Sequence, residues 1–272
     1  MSKKPAHAVG NLKRKNTGPI TDVDASAAHE IATKTTDENV YLFVPNLIGY
    51  ARVILAAFAL YYMPYHPYYC TALYGASSLL DAADGYAARR LKQASQFGAV
   101  LDMIVDRCTT SCLLCYLASA YPNYALLFQG LISLDFSSHY MHMVSTLTTG
   151  SKHHKVIDQD VSRILNWYYK KPVLFTMCAG NELFFVALYL IKWDKTPLYT
   201  LFPYSVVSSQ WFIENFPPAF KHLTFAQLIA GLTLPISFGK NVINVVQAWK
   251  ASKVLVGVDL RERALAETRE RR

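Results

Sequence analysis

Charge is what this sequence lacks. Of its 272 residues only 17% are Asp, Glu, Lys or Arg, against roughly a quarter in an ordinary soluble domain. Hydrophobic residues make up 52%, and apolar runs of about 20 residues recur, the length that matches the hydrocarbon core of a bilayer. These proportions exclude an ordinary soluble domain and predict an integral membrane protein. The first 40 residues are polar and lack an apolar core segment, so no cleavable signal peptide is expected. A retention tetrapeptide of the Lys-Asp-Glu-Leu kind is also absent. Cysteine is sparse, with five residues, all inside apolar segments. Cys108, Cys112 and Cys115 share one helical face, but about 200° of helix separates Cys108 from Asp106. Helix packing, not metal ligation, is expected of these thiols.

The apolar segments number six, at approximately 43–63, 69–90, 97–119, 124–147, 173–192 and 225–248. Proline and clustered polar residues mark the breaks between them. The fold class expected is an all-α integral membrane protein of six transmembrane helices around a cytoplasm-facing polar cavity. The basic residues set its orientation. The N-terminal tail, the 89–92 turn, the 151–171 loop and the segment from Lys250 hold 21 Lys and Arg, against Lys192, Lys195 and Lys221 near the alternate connections. The positive-inside rule then places both termini in the cytoplasm. The net charge of +8 is accounted for by topology and anionic lipid, without nucleic acid. Three regions follow: a disordered cytoplasmic tail over 1–40, a membrane domain over 41–249, and a basic cytoplasmic tail over 250–272.

Against this apolar background the stretch DAADGYAARRLKQASQFGAVLDMIVDR, residues 81–107, holds four aspartates. Asp81, Asp84, Gly85, Ala88 and Arg89 fall on one helical stripe, and Gly98, Asp102 and Asp106 on another. With a turn near Ala94, all four carboxylates lie about 12–20 Å from it at roughly 1.5 Å per residue. Small residues between them allow the two helices to approach closely. A single Asp inside a membrane costs about 2.5–3.5 kcal/mol, so four together demand a counter-charge. An all-carboxylate set suits Mg2+ or Mn2+, and two such ions clamp a phosphoryl group in displacement chemistry.

The pattern Asp81-x2-Asp84-Gly85-x2-Ala88-Arg89-x8-Gly98-x3-Asp102-x3-Asp106 resembles the full signature of the CDP-alcohol phosphatidyltransferase family. The resemblance implies a six-helix membrane transferase, a homodimer, that moves a substituted phosphoryl group from a CDP-linked donor to an alcohol and releases CMP. It further implies that Asp81, Asp84, Asp102 and Asp106 hold the metal, with Asp106 also the general base. Gly85, Ala88, Arg89 and Ser95 then serve the nucleotide-lipid donor. In Pro45-Asn46-Leu47-Ile48-Gly49-Tyr50-Ala51-Arg52, the family pattern implies donor contacts for Asn46 and Arg52; Gly49 stands where that pattern more often has Thr. Asn46 as a helix cap and Arg52 as a snorkelling surface cation are the alternatives.

FGAVLDMIVDR, SLDFSSHYMHM at 133–143 and NELFF at 181–185 resemble the eukaryotic branch of that family whose acceptor is myo-inositol. CDP-diacylglycerol and free myo-inositol are the substrates this implies, and the endoplasmic reticulum membrane the location. Asp135, His139 and His142 share a face of the fourth segment. They fit contacts to a polyol, hydrogen bonds between helices, or, less well, zinc. A phosphorylated acceptor needs a convergent basic pocket, and Arg52 and Arg107 are the only arginines at that depth, so free inositol is expected. Rival readings are another acceptor, such as serine, glycerol phosphate or inositol phosphate, or a cation transporter. Transporters often carry internal repeats, whereas these carboxylates sit on one hairpin with no counterpart in the second half.

Overall fold

The computed structural model describes residues 39–149, 163–201 and 222–271, with isolated positions between the last two stretches. The expected disordered tail and most of the 151–171 loop lie outside the described residues. Within them the chain is helical, with no strand and one isolated bridge, Pro197 to Thr224. The helices are α1 (Val44–Tyr62), α2 (Pro67–Arg90), α3 (Gln96–Ala120), α4 (Ala125–Thr149), a short α5 (Arg163–Tyr168), α6 (Lys171–Trp193) and α7 (Phe225–Glu270). The six long ones coincide with the six apolar segments. Length and hydropathy suffice for a membrane crossing in three of them, α1, α6 and α7. In α2 and α3 the aspartates lower the hydropathy, and in α4 a run of Ser, His and Asp does so.

Local chemistry explains the ends. Proline occupies the first turn of α1, α2 and α6, where its missing N–H costs nothing and its fixed φ favours the helix. Ser95 caps α3 by accepting from the Gly98 N–H. Thr224 and Gln227 close a reciprocal capping box on α7. The α2–α3 turn passes through Lys92 at φ 57°, while the Gln93 N–H returns to the Ala88 carbonyl at 3.0 Å, a Schellman-type stop. The Gln93 side chain accepts from the Val44 N–H at 3.0 Å, so the turn is tied to the start of α1. Helix α7 runs without a break through the expected boundary at 249 to Glu270. At roughly 1.5 Å per residue it spans about 69 Å, more than twice a bilayer core.

Helix α1 packs on α2 and α3, and α7 packs on α6 and α4. The apolar core gathers at one end of the bundle: Ala59 and Met63 of α1, Cys70 and Tyr74 of α2, Leu113, Leu114 and Leu117 of α3, with Phe128, Phe185 and Tyr189. The opposite ends of α1, α2 and α3 carry the polar residues. Large apolar side chains cover the outside, among them Leu126 at 82% and Leu79 at 76% exposure, an amount of bare apolar surface that a soluble monomer does not carry. Cys108, Cys112 and Cys115 are on this exposed surface. They face away from the carboxylates as expected, but onto the outside of the bundle and not into a helix contact.

Candidate metal and nucleotide site

The 81–107 hairpin brings its carboxylates together. Ligand oxygens of Asp81, Asp102 and Asp106 lie within 4.8 Å of one another. The fourth, Asp84, is buried and joins them through a shared cation, Arg52. The Arg52 guanidinium is 2% exposed and touches all four. Its Nη1 donates to Asp84 at 2.8 Å and Asp102 at 2.6 Å; its Nη2 meets Asp81 at 2.8 Å and also Asp106. Arg52 therefore does not snorkel. One buried guanidinium from α1 supplies counter-charge to one buried carboxylate, Asp84, and three partly exposed ones. The oxygens are hard donors gathered at one point, a set that fits Mg2+ or Mn2+.

Beside the cluster opens a cavity of about 170 Å³. Asn46, Asp84, Gly85, Ala88, Ser95, Gly98 and Asp102 line it, so four of the expected donor residues share one wall with two of the expected metal ligands. Asn46 does not cap α1, whose N-cap is Phe43. Its Nδ2 donates to the Val40 carbonyl at 2.6 Å, while its buried Oδ1 has no hydrogen-bond partner. An unpaired buried acceptor on a cavity wall costs stability unless something fills the place. Gly98 is required here, because a Cβ would lie 2.5 Å from that oxygen and 3.0 Å from the Ser95 hydroxyl. A Cβ on Gly85 would meet only the Arg89 guanidinium, at 3.5 Å. Arg89 itself is exposed, and Arg52 is turned into the carboxylates.

The CDP-alcohol phosphatidyltransferase family model matches residues 42–211, a stretch that contains the hairpin, the cavity wall and Arg52. The chain belongs to the CDP-alcohol phosphatidyltransferase family. Among curated proteins it is 50% identical over 233 residues to the CDP-diacylglycerol–inositol 3-phosphatidyltransferase of Schizosaccharomyces pombe, covering 85% of this chain and 96% of the relative. With the Homo sapiens protein of the same name it shares 42% over 229 residues, 84% of this chain and 98% of the relative. No solved structure matches the chain.

This family member holds a second polar centre, where α3, α4 and α7 meet. Asp135 on α4 is 7% exposed and accepts from Arg107 Nη1 at 2.9 and 3.1 Å. Lys240 Nζ on α7 stands 3.7 Å from the same carboxylate, and Asn244 Nδ2 donates to it at 3.4 Å. Arg107 Nη2 also reaches Asp106, at 3.5 Å, so the two centres share a border. His139 turns its Nδ1 back to the Asp135 carbonyl at 2.8 Å, and His142 stacks on Tyr169. Asp135, His139 and His142 thus share a helix face without forming one open wall. Asn181 accepts from Ser237 at 2.8 Å, and Glu182 from Tyr74 at 2.7 Å and Thr110 at 2.6 Å; these tie α6 to its neighbours.

Lys240 and Asn244 escaped the sequence reading, and with them the convergence of two cations. The signal was present: Ser237, Lys240, Asn244 and Gln247 recur at three- and four-residue steps through an apolar segment, and all four are buried. A lysine at such depth marks a functional position by default. The absence of a basic pocket is therefore not a sound reason to expect a free polyol. Arg107 and Lys240 do converge, on Asp135.

Proposed function

We propose that this chain is a membrane-embedded CDP-diacylglycerol–inositol 3-phosphatidyltransferase, which transfers the phosphatidyl group of CDP-diacylglycerol to myo-inositol and releases CMP. The observation that carries this reading is the cluster of Asp81, Asp102 and Asp106 oxygens on the rim of a cavity lined by Asn46, Gly85, Ala88 and Ser95. Relatives that bear this name align over most of their length. All six long helices cross the bilayer in this reading, α2, α3 and α4 hiding their polar residues inside the bundle. The charge asymmetry of the loops supports cytoplasmic termini and a site open to the cytoplasm. The endoplasmic reticulum membrane and a homodimer complete the reading, with 41–249 as the membrane domain between the two tails.

Asp81, Asp84, Asp102 and Asp106 would hold two divalent ions, magnesium or manganese, which when bound offset charge on the donor's diphosphate. Arg52 fixes the four carboxylates and keeps them from splaying apart while the site is being loaded. Asn46 Oδ1 accepts from the donor's nucleotide, and Gly85 leaves room for it; Ala88, Arg89 and Ser95 flank it. Asp106 takes the proton of the inositol hydroxyl. The oxygen so freed attacks the phosphatidyl phosphorus, and the bond from that phosphorus to the CMP oxygen breaks. Asp135, His139 and His142 serve the acceptor side, with Asp135 acting through Arg107.

The test follows CMP release by detergent-purified protein from CDP-diacylglycerol, with myo-inositol, serine, glycerol 3-phosphate or myo-inositol phosphate in parallel. Release with myo-inositol alone, abolished by a chelator, is expected. Release with another alcohol overturns the acceptor assignment. Folded protein that releases no CMP with any acceptor overturns the transferase reading and returns the aspartates to a cation pathway.

A further inference from the structure

A buried lysine and a largely buried arginine beside a reaction centre are an obvious anion trap, yet this chain has closed the trap from within. Arg107 and Lys240 both face the Asp135 carboxylate, at 2.9 and 3.7 Å. Arg107 also leans on Asp106 at 3.5 Å. Counting formal charges, Arg107 and Lys240 are cancelled by Asp106 and Asp135. His139 adds no charge when its ring is neutral, and donating Nδ1–H to the Asp135 carbonyl leaves its Nε2 as an acceptor.

The unpaired atoms of the same centre carry further information. Arg107 Nε, a donor, and Asn244 Oδ1, an acceptor, are both buried without a hydrogen-bond partner. Which end of Asn244 is oxygen follows from its neighbour, since the amide nitrogen is the end turned to the Asp135 carboxylate. One open donor and one open acceptor suit a hydroxyl, which gives one hydrogen bond and takes others. A phosphate offers acceptor oxygens and so meets Arg107 Nε but repels Asn244 Oδ1.

We infer that Asp135 is a specificity-determining residue: an internal counter-anion that, together with Asp106, neutralises Arg107 and Lys240 so that the acceptor side admits an uncharged polyol and rejects a phosphorylated one. The inference rests on the proposed function, in that it takes the acceptor to approach Asp106 from this side. It makes the choice between free and phosphorylated acceptor a matter of net charge at one buried point and not of cavity shape.

A charge series tests it. The probe is myo-inositol 1-phosphate, used as a competitor of myo-inositol in CMP release and, separately, as a labelled ligand in equilibrium binding. Asp135→Asn keeps the side-chain shape and an acceptor for Arg107 but leaves the centre one unit positive. Inhibition by the phosphorylated polyol, relative to the KM for myo-inositol, is expected to tighten at least about tenfold, because a unit charge within a nanometre at an effective dielectric near 20 supplies that much. Lys240→Gln leaves the centre one unit negative and is expected to weaken inhibition below wild type. The double variant Asp135→Asn/Lys240→Gln returns to the wild-type ratio. The order Asp135→Asn, wild type, Lys240→Gln in both readouts supports the inference. If Asp135→Asn fails to fold, the wild type and Lys240→Gln decide it alone, equal inhibition overturning it. A flat series in folded variants overturns it while wild-type turnover of myo-inositol leaves the proposed function standing. A wild type inactive with myo-inositol overturns both.

Discussion

Replacing Arg52 by Met tests how the carboxylate cluster is held, with a magnitude that the contacts supply. Arg52 is 2% exposed and is the one described cation in contact with Asp81, Asp84 and Asp102. Methionine fills much of the same volume but leaves four carboxylates facing one another, three of them with oxygens inside 4.8 Å. Removing one partner from a buried ionic network costs about 3–5 kcal/mol. At about 2–4 °C per kcal/mol for a chain of this size, Tm in chelator is expected to fall by about 6–20 °C. Divalent ions that bind the same oxygens restore the missing charge, and binding to the native state alone stabilises by about 2.7 kcal/mol at a hundredfold excess over Kd. The wild type gains from manganese as well, but the variant, whose carboxylates have no other counter-charge, binds the ions more tightly, so the loss in manganese is expected to be smaller than that in chelator. The assay is thermal unfolding in detergent, followed by tryptophan fluorescence, for both proteins in both conditions. Equal losses with and without manganese would refute the reasoning, because the ions would then not be meeting these carboxylates. A loss below about 2 °C in chelator would show that the network contributes nothing to stability.

Three more outcomes are expected. Asp106→Asn lowers CMP release by about 10²–10⁴-fold, the usual worth of a positioned base, while equilibrium binding of CDP-diacylglycerol changes little; near-normal turnover removes Asp106 from the base role. Gly98→Ala drives a Cβ to 2.5 Å from Asn46 Oδ1, which costs about 1–3 kcal/mol of overpacking and raises the KM for the donor more than that for the acceptor. Unchanged Tm and donor KM would show that α1 and α3 are not in close contact there. Thr224→Ala breaks the α7 capping box, with a cost of about 0.5–2 kcal/mol read as a lower Tm, and leaves both KM values at wild type because Thr224 is remote from either polar centre.

What the sequence made legible was whatever lay on one helix or one hairpin. Periodicity put Asp81 with Asp84 and Asp102 with Asp106, and the short turn put the two pairs side by side; the structure brings Asp81, Asp102 and Asp106 together and ties Asp84 to them through Arg52. Apolar run lengths located the ends of the six long helices to within a few residues, the C-terminal end of α7 excepted. Contacts between helices distant in the chain were not legible. Nothing in the periodicity of α1 says that Arg52 turns into the carboxylates, since the same helical position serves a snorkelling cation equally well. Nothing in α4 says that Asp135 meets α7 and not α6. Arg107 lies about 100° round the helix from Asp106, which argues for separate roles until its length is considered: the side chain is long enough to touch both Asp135 and Asp106. The end of α7 is a different miss. Ala, Glu, Arg and Leu dominate residues 260–270, all strong helix formers, and the composition alone argued for a helix past 249.

Asp106 is the residue where the two polar centres meet, and that position bears on its proposed role as base. Its Oδ1 belongs to the Arg52 cluster and its Oδ2 faces Arg107. Asp102, one turn nearer the hairpin, is given no arginine beyond Arg52. The Asp106 carbonyl lies 3.0 Å from the Thr110 hydroxyl, which donates to Glu182, so the backbone that carries the base is pinned to α6. A proton acceptor has to reach the acceptor alcohol with one oxygen while its other stays with the groups that bind the donor. Of the four aspartates, Asp106 alone has one oxygen on each side. Arg52 and Arg107 contact its two oxygens from opposite sides, and the Arg107 link makes the charge of the Asp135 centre felt at the same oxygen. If the base and the acceptor filter are joined in this way, Asp135→Asn should alter kcat with myo-inositol as well as the choice of acceptor. Arg52 variants should act on the donor side, leaving the ratio between acceptors unchanged.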